Sequence, residues 1–131
     1  MQIENDLNSL VVSQESVATD IVATALTGLV SIVKETGEVV PSSTAYDKLD
    51  NNSKILAYLL GLQASALLGF GNKRVTASAD EIAGVVGVNV QRARELLSRL
   101  KGKLLKKTTD GWELPVVKIT AACDEIINKR K

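Results

Sequence analysis

The side chains that carry most enzyme chemistry are missing from this sequence or stand alone. Histidine is absent from the 131 residues, and Cys123 is the single cysteine. That removes serine–histidine and cysteine–histidine hydrolysis, a His/Cys zinc site and an internal disulfide together. Gly69-Phe70-Gly71-Asn72-Lys73-Arg74 begins like a dinucleotide-binding loop, yet it has no third glycine and follows a helical pattern rather than a strand. It reads as a loop or helix cap. Gly102-Lys103-Leu104 lacks the upstream glycine spacing and the hydroxyl of a phosphate loop. The carboxylates are scattered and form no paired set, and Cys123 falls on an apolar stripe as a small core residue. The chain is therefore read as a non-enzyme without catalytic residues, metal site or cofactor.

What remains is charge, and it is unevenly placed. The net charge is +1, but residues 1–52 hold two lysines against eight acids, or −6, and residues 53–131 hold fourteen Lys and Arg against seven acids, or +7. Such a division favours a polyanion partner for the basic half, although two oppositely charged segments that pack on each other would look the same. The 45% apolar and 24% charged fractions are those of a globular domain, and they exclude a disordered tail or a collagen. A chain of this length buries roughly two-thirds of its unfolded surface, enough for a core without staples.

The elements that position these charges follow from periodicity and caps. Leu7 to Glu35 carries Leu7, Leu10, Val11, Val17, Ala18, Ile21, Val22, Ala25, Leu29 and Val33 at spacings of three and four, which predicts one long amphipathic helix closed by Gly37. Glu38 to Thr44 reads as a linker. A second helix runs from caps at Asp50–Ser53 to about Leu68. Its uncharged stretch, Ile55–Asn72, approaches the length of a membrane span, but Gln63, Ser65 and Asn72 interrupt it and a buried core helix is expected. Ala57, Gly61, Ser65 and Gly69 recur every four residues, a row of small side chains against which another helix can come close. Lys73–Thr76 is extended. Ser78 and Glu81 form a capping box for a short helix broken by Gly87, and Asn89 caps the next, with Val90, Ala93, Leu96, Leu97 and Leu100 as its apolar stripe. Leu104–Thr108 and Trp112–Leu114 read as two strands joined by a turn at Thr109-Asp110-Gly111, and Val116–Lys129 as a last amphipathic helix.

The order helix, short strand, short helix, tight turn, helix, hairpin resembles the winged helix-turn-helix domain. Ile82-Ala83 in the first helix of the motif, Gly87-Val88 in its turn, and Ala93, Leu97 and Leu100 on the core side of the recognition helix carry the resemblance, with Lys106–Trp112 as the wing. It covers about 53–114. In one departure, Gly102 stands two positions before Leu104 rather than directly before the pair that opens the wing. The expected fold is mainly α with a small β-hairpin wing: an amino-terminal helical segment over 1–40, the winged domain over 50–115 and a carboxy-terminal helix over 116–131.

The resemblance implies a duplex-DNA-binding protein, with a recognition helix at about 89–101 and a wing at about 104–114. Asn89, Gln91, Arg92 and Glu95 would then face base edges, where an arginine offers paired donors to guanine and a glutamine pairs with adenine. Arg94, Arg99, Lys101 and Lys103 would lie toward flanking phosphates, and Lys106 and Lys107 would decorate the wing. Glu95 has a second reading, as an ion-pair partner of Arg99 one turn on. The two flanking helices, each with an apolar stripe, are expected to pair copies into a homodimer acting as a transcriptional regulator, unless the first folds back on its own domain. The competing function is a winged-helix assembly module that meets proteins without touching DNA. The acidic amino terminus lacks the positively charged region and the long apolar run of a secretory signal, so a cytoplasmic location is expected.

Overall fold

The structure, a computed structural model, describes residues 22–41, 44–70 and 74–130. The central element is helix α2 (Asn51–Leu67), preceded by the short α1 (Thr44–Asp47). Asp50 caps α2 by accepting from the Ser53 amide at 2.8 Å. At its far end Gly69 turns left-handed at φ +79°, and the Gly69 and Phe70 amides return to the Ala66 and Ser65 carbonyls, both at 3.0 Å. Nearly every residue from Ile55 to Gln63 is buried, so α2 has no solvent stripe. That is the all-round apolar pattern of a helix covered on every side. No helix among the described residues is long and apolar enough to cross a membrane.

The covering begins with a hairpin where a helix and a linker were expected. Helical turns occupy 22–26, but Gly28 adopts φ +83° and β1 (Val30–Ile32) pairs antiparallel with β2 (Val39–Pro41). The expected helix over Leu7–Glu35 therefore ends early, and its part over 7–21 lies outside the described residues. The run Val30-Ser31-Ile32-Val33, β-branched at three of its four positions, fits a pleated strand as well as it fits three-and-four spacing, and long-range pairing decides. Gly37, at φ +76°, is the hairpin turn rather than a helix cap, and its N–H donates to the Val33 carbonyl at 2.6 Å.

This hairpin explains the small residues of α2. A Cβ placed on Gly61 would stand 2.7 Å from Val39 Cγ1, and Ser65 Oγ donates to the Gly37 carbonyl at 2.9 Å. A strand, not a second helix, comes close there.

The remaining sides of α2 are covered from the carboxy-terminal direction. After β3 (Thr76–Ala77), Ser78 and Glu81 form both bonds of the capping box that starts α3 (Ala79–Val86). Glu81 also accepts from Arg74, whose second nitrogen donates to Tyr58 of α2 at 3.3 Å. Burial works to raise the Glu81 carboxyl, but the bonds from Arg74 and the Ser78 amide outweigh it and hold the group below its ordinary range. Gly87 leaves α3 at φ +88°, and Asn89 caps α4 (Val90–Leu100), its side chain accepting from the Arg92 amide at 2.8 Å.

The Leu100 carbonyl gathers the amides of Lys103, Leu104 and Leu105 within 3.1 Å. Gly102 makes this exit at φ +81°, which accommodates its displaced position. Strands β4 (Lys106–Thr108) and β5 (Gly111–Glu113) follow, and the three-stranded antiparallel sheet has the order β3-β5-β4. Gly111 belongs to β5 rather than to the turn, and a Cβ on it would meet the Ala77 carbonyl oxygen at 2.6 Å.

A 3₁₀ turn (Val116–Lys118) leads into α5 (Ile119–Arg130), whose Ile119, Ala122, Cys123 and Ile126 are buried against α2. The buried Gln63 side chain donates to the Leu114 carbonyl at 2.6 Å, tying α2 to the end of the hairpin β4–β5. Burial pushes the Cys123 thiol up to about 12, as suits an inert core thiol. Because α5 spends its apolar stripe inside the chain, it offers no second dimerisation surface of the kind expected.

The Gly61–Val39 contact is tested by Gly61→Ala. Overpacking a close contact costs about 1–3 kcal/mol, more than the roughly 1 kcal/mol that alanine gains over glycine within a helix. Urea denaturation should show a net loss of stability, part of which is recovered by adding Val39→Ala. Equal or higher stability for Gly61→Ala alone would contradict the contact.

Candidate nucleic-acid interface

With Ala93, Leu96, Leu97 and Leu100 turned inward, α4 presents Gln91, Arg94, Glu95 and Ser98 on its outer stripe. Arg92 lies on one border of that stripe, half-buried, and Lys101 continues the other border. Asn89 is exposed, but its side-chain carbonyl is occupied as the cap of α4. Arg99 is exposed on the Arg92 side. Glu95 pairs at 3.3 Å with Arg92, one turn before it, rather than with Arg99. With side chains 42% and 47% exposed, such a pair contributes only about 0–1 kcal/mol, so a stronger ligand for Arg92 can displace it.

Between α4 and the hairpin β4–β5 runs a cleft of about 570 Å³. Arg94, Ser98 and Lys101 line its helix side, and Lys107, Asp110 and Trp112 its hairpin side, with Asp80 of α3 also in the lining. Trp112 is buried and forms a base for Lys107, whose Nζ lies 5.4 Å from the ring centroid. The ten residues singled out in the sequence therefore divide. Arg94, Lys101 and Lys107 share the cleft, whereas Asn89, Gln91, Arg92, Glu95 and Arg99 lie outside it. Lys103 and Lys106 border a hollow at the base of the hairpin β4–β5 that shares Lys101 and Lys107 with the cleft.

Sequence reasoning missed Ser98, Asp80 and Asp110. Ser98 stands four residues after Arg94 and three before Lys101, so helical spacing alone could have found it. Asp80 could not be found that way, because it reaches the cleft from another helix. The arrangement can hold a ridge of negative charge by cations set along one helix and one hairpin. Among the described residues no group of three or more His, Cys, Asp or Glu is placed to hold a metal ion.

Glu95 is the one carboxylate on the outer stripe of α4, and it tests whether that stripe meets phosphates. Glu95→Gln removes a repulsive charge and releases Arg92, and fluorescence anisotropy should show duplex DNA bound about 2- to 5-fold more tightly at low salt. Weaker binding would mean instead that the carboxylate accepts a bond from the DNA, as one facing cytosine would. No family model, curated protein or solved structure matches this chain, so the geometry alone carries the functional reading.

Proposed function

We propose that this chain is a winged-helix protein that binds double-stranded DNA, with α4 as the recognition helix and β4–β5 as the wing. The order of α2, β3, α3, α4 and the hairpin supports the fold assignment, as does the sheet order β3-β5-β4, in which the first strand pairs with the last. One observation carries the functional reading. Of the ten cations that make no ion pair among the described residues, seven fall within residues 94–118, on α4, the hairpin and the turn after it (Arg94, Arg99, Lys101, Lys103, Lys106, Lys107 and Lys118), while Lys34, Lys48 and Lys54 stand elsewhere and Arg74, Arg92 and Lys129 are paired. Unpaired cations along a helix and an adjoining hairpin suit the regular charge of a duplex.

A salt titration tests this reading. If one copy covers about six phosphates, the logarithm of the association constant should fall with that of salt at a slope of about −5. A flat dependence, or no binding at low salt, would favour the assembly module, in which the same face meets a protein.

The reading extends to a homodimer, now resting on the amino-terminal part of the chain. An apolar groove of about 270 Å³ lies open between 22–27, β1 and the end of α2, lined by Val22, Leu26, Val30, Ile32 and Leu67, with Leu68 58% exposed at its rim. The residues that lead into Val22 carry Leu10, Val11, Val17, Ala18 and Ile21, apolar side chains of a kind that would cover such a groove in a second copy. Light scattering should give about 28 kDa, twice the 14.0 kDa of one chain. A mass of one chain at tens of micromolar would remove the dimer and with it the expectation of a palindromic site.

A further inference from the structure

Two neighbouring valines stand out from the body just after the hairpin β4–β5. On the 3₁₀ turn, Val116 is 43% and Val117 78% exposed. They continue an apolar floor, because Pro115 before them lines the hollow at the base of the hairpin together with Leu104 and Leu105. Lys103, Lys106 and Lys118 stand around this floor, and none of the three is in an ion pair among the described residues. The turn is held in place from both sides. The Lys118 amide donates to the Pro115 carbonyl at 2.9 Å, and the Leu114 carbonyl accepts from Gln63 of α2. Exposed apolar surface rimmed by polar side chains marks a place where another chain binds.

Valines gain nothing from a hydrated phosphate, so an occupant that fits this surface brings apolar side chains together with negative charge. The amino-terminal residues of the chain have both. Residues 1–21 hold Glu4, Asp6, Glu15 and Asp20 and neither lysine nor arginine, and in Ile3-Glu4-Asn5-Asp6-Leu7 two acids stand between two large apolar residues. Position agrees with charge. These residues lead to Val22, which lines the apolar groove with Leu67 of α2. Gln63, which bonds Leu114, stands one turn before Leu67 on the same helix, about 6 Å along its axis. The groove and the valine surface therefore adjoin the same end of α2.

We propose that residues 3–7 of a second copy dock on the surface formed by Pro115, Val116 and Val117, with Ile3 and Leu7 against the valines and Glu4 and Asp6 beside Lys103, Lys106 and Lys118. The inference rests on the homodimer reading, in which later residues of the same segment cover the groove. It goes beyond that reading by giving the first residues a docking surface of stated chemistry.

Disulfide trapping of the full chain tests this. One batch carries Ile3→Cys and another Val117→Cys, an exposed position whose change leaves the core untouched, and Cys123 stays in both because its thiol is buried and inert. Mixed and mildly oxidised, the two should form a covalent pair of twice 14.0 kDa. Docking raises the local thiol concentration, so the yield should exceed by roughly 10-fold that of Ile3→Cys mixed with Lys48→Cys, an exposed position before the start of α2. Adding Glu4→Gln and Asp6→Asn to the first batch should lower the yield roughly 2- to 5-fold by removing two exposed ion pairs. A yield no better than the Lys48→Cys control, or one unchanged without the two acids, overturns the proposal. So does a chain carrying both Ile3→Cys and Val117→Cys that links only within itself. Wild-type chain that scatters light as a single copy overturns the dimer reading on which the proposal rests, whereas a dimeric wild type without preferential linking overturns the docking alone.

Discussion

A helix whose residues from Ile55 to Gln63 carry no charge and are all buried must be covered on every side, and α2 imposes that requirement on the whole chain. Leu59 and Leu60 point to different sides of it and are both fully buried, each worth about 1.5–3 kcal/mol for removal from water. The hairpin β1–β2 supplies one cover through Val39 against Gly61. Helix α5 supplies another through Ile119, Cys123 and Ile126, and α3 a third through Ile82 and Val86. One apolar cluster accordingly runs from Val22 to Ile126. Because α3 is seated on α2 and hands the chain to α4 across only Gly87, Val88 and Asn89, the direction of α4 follows from the packing of α2.

The same constraint places the hairpin β4–β5. Gln63 reaches from α2 to the Leu114 carbonyl, and β5 is pinned to β3 where Gly111 passes over the Ala77 carbonyl. The hairpin is thereby held beside α4 at both ends of β5, and its lysines keep a fixed relation to Arg94 and Lys101. Cations on long side chains are flexible individually, but the backbone they stand on is not. A surface of this kind is suited to a rigid, regularly charged partner.

Elements whose signals are local were legible in the sequence. Asp50, the Ser78–Glu81 capping box, Gly87, Asn89 and Gly102 each act within a few residues, and α2, α3, α4 and the hairpin β4–β5 lie where those signals put them. The parts that depend on distant partners were not legible. Val30-Ser31-Ile32 satisfies helical spacing, and only its pairing with Val39–Pro41 makes it a strand. The small residues of α2 announced a close approach without saying that a strand makes it. The stripe of α5 was visible, but whether it faces α2 or a second copy is a tertiary question. In the candidate interface, Arg94, Lys101 and Lys107 were legible as cations, yet their common cleft and the separation of Lys103 and Lys106 from it depend on the exit turn around Leu100. The choice of Glu95 between Arg92 and Arg99 lies between two spacings that a helix serves almost equally.

In the proposed function α2 holds one rigid body whose α4 stripe and hairpin lysines face a duplex together. Nuclear magnetic resonance of the isotope-labelled chain, titrated with a short DNA duplex, addresses it residue by residue. The amides of Arg94, Ser98, Lys101, Lys103 and Lys107 should shift in parallel, while those of Gly61 and of β1–β2 stay in place. Shifts centred on the hairpin and the apolar groove, or no shifts at all in low salt, would contradict it.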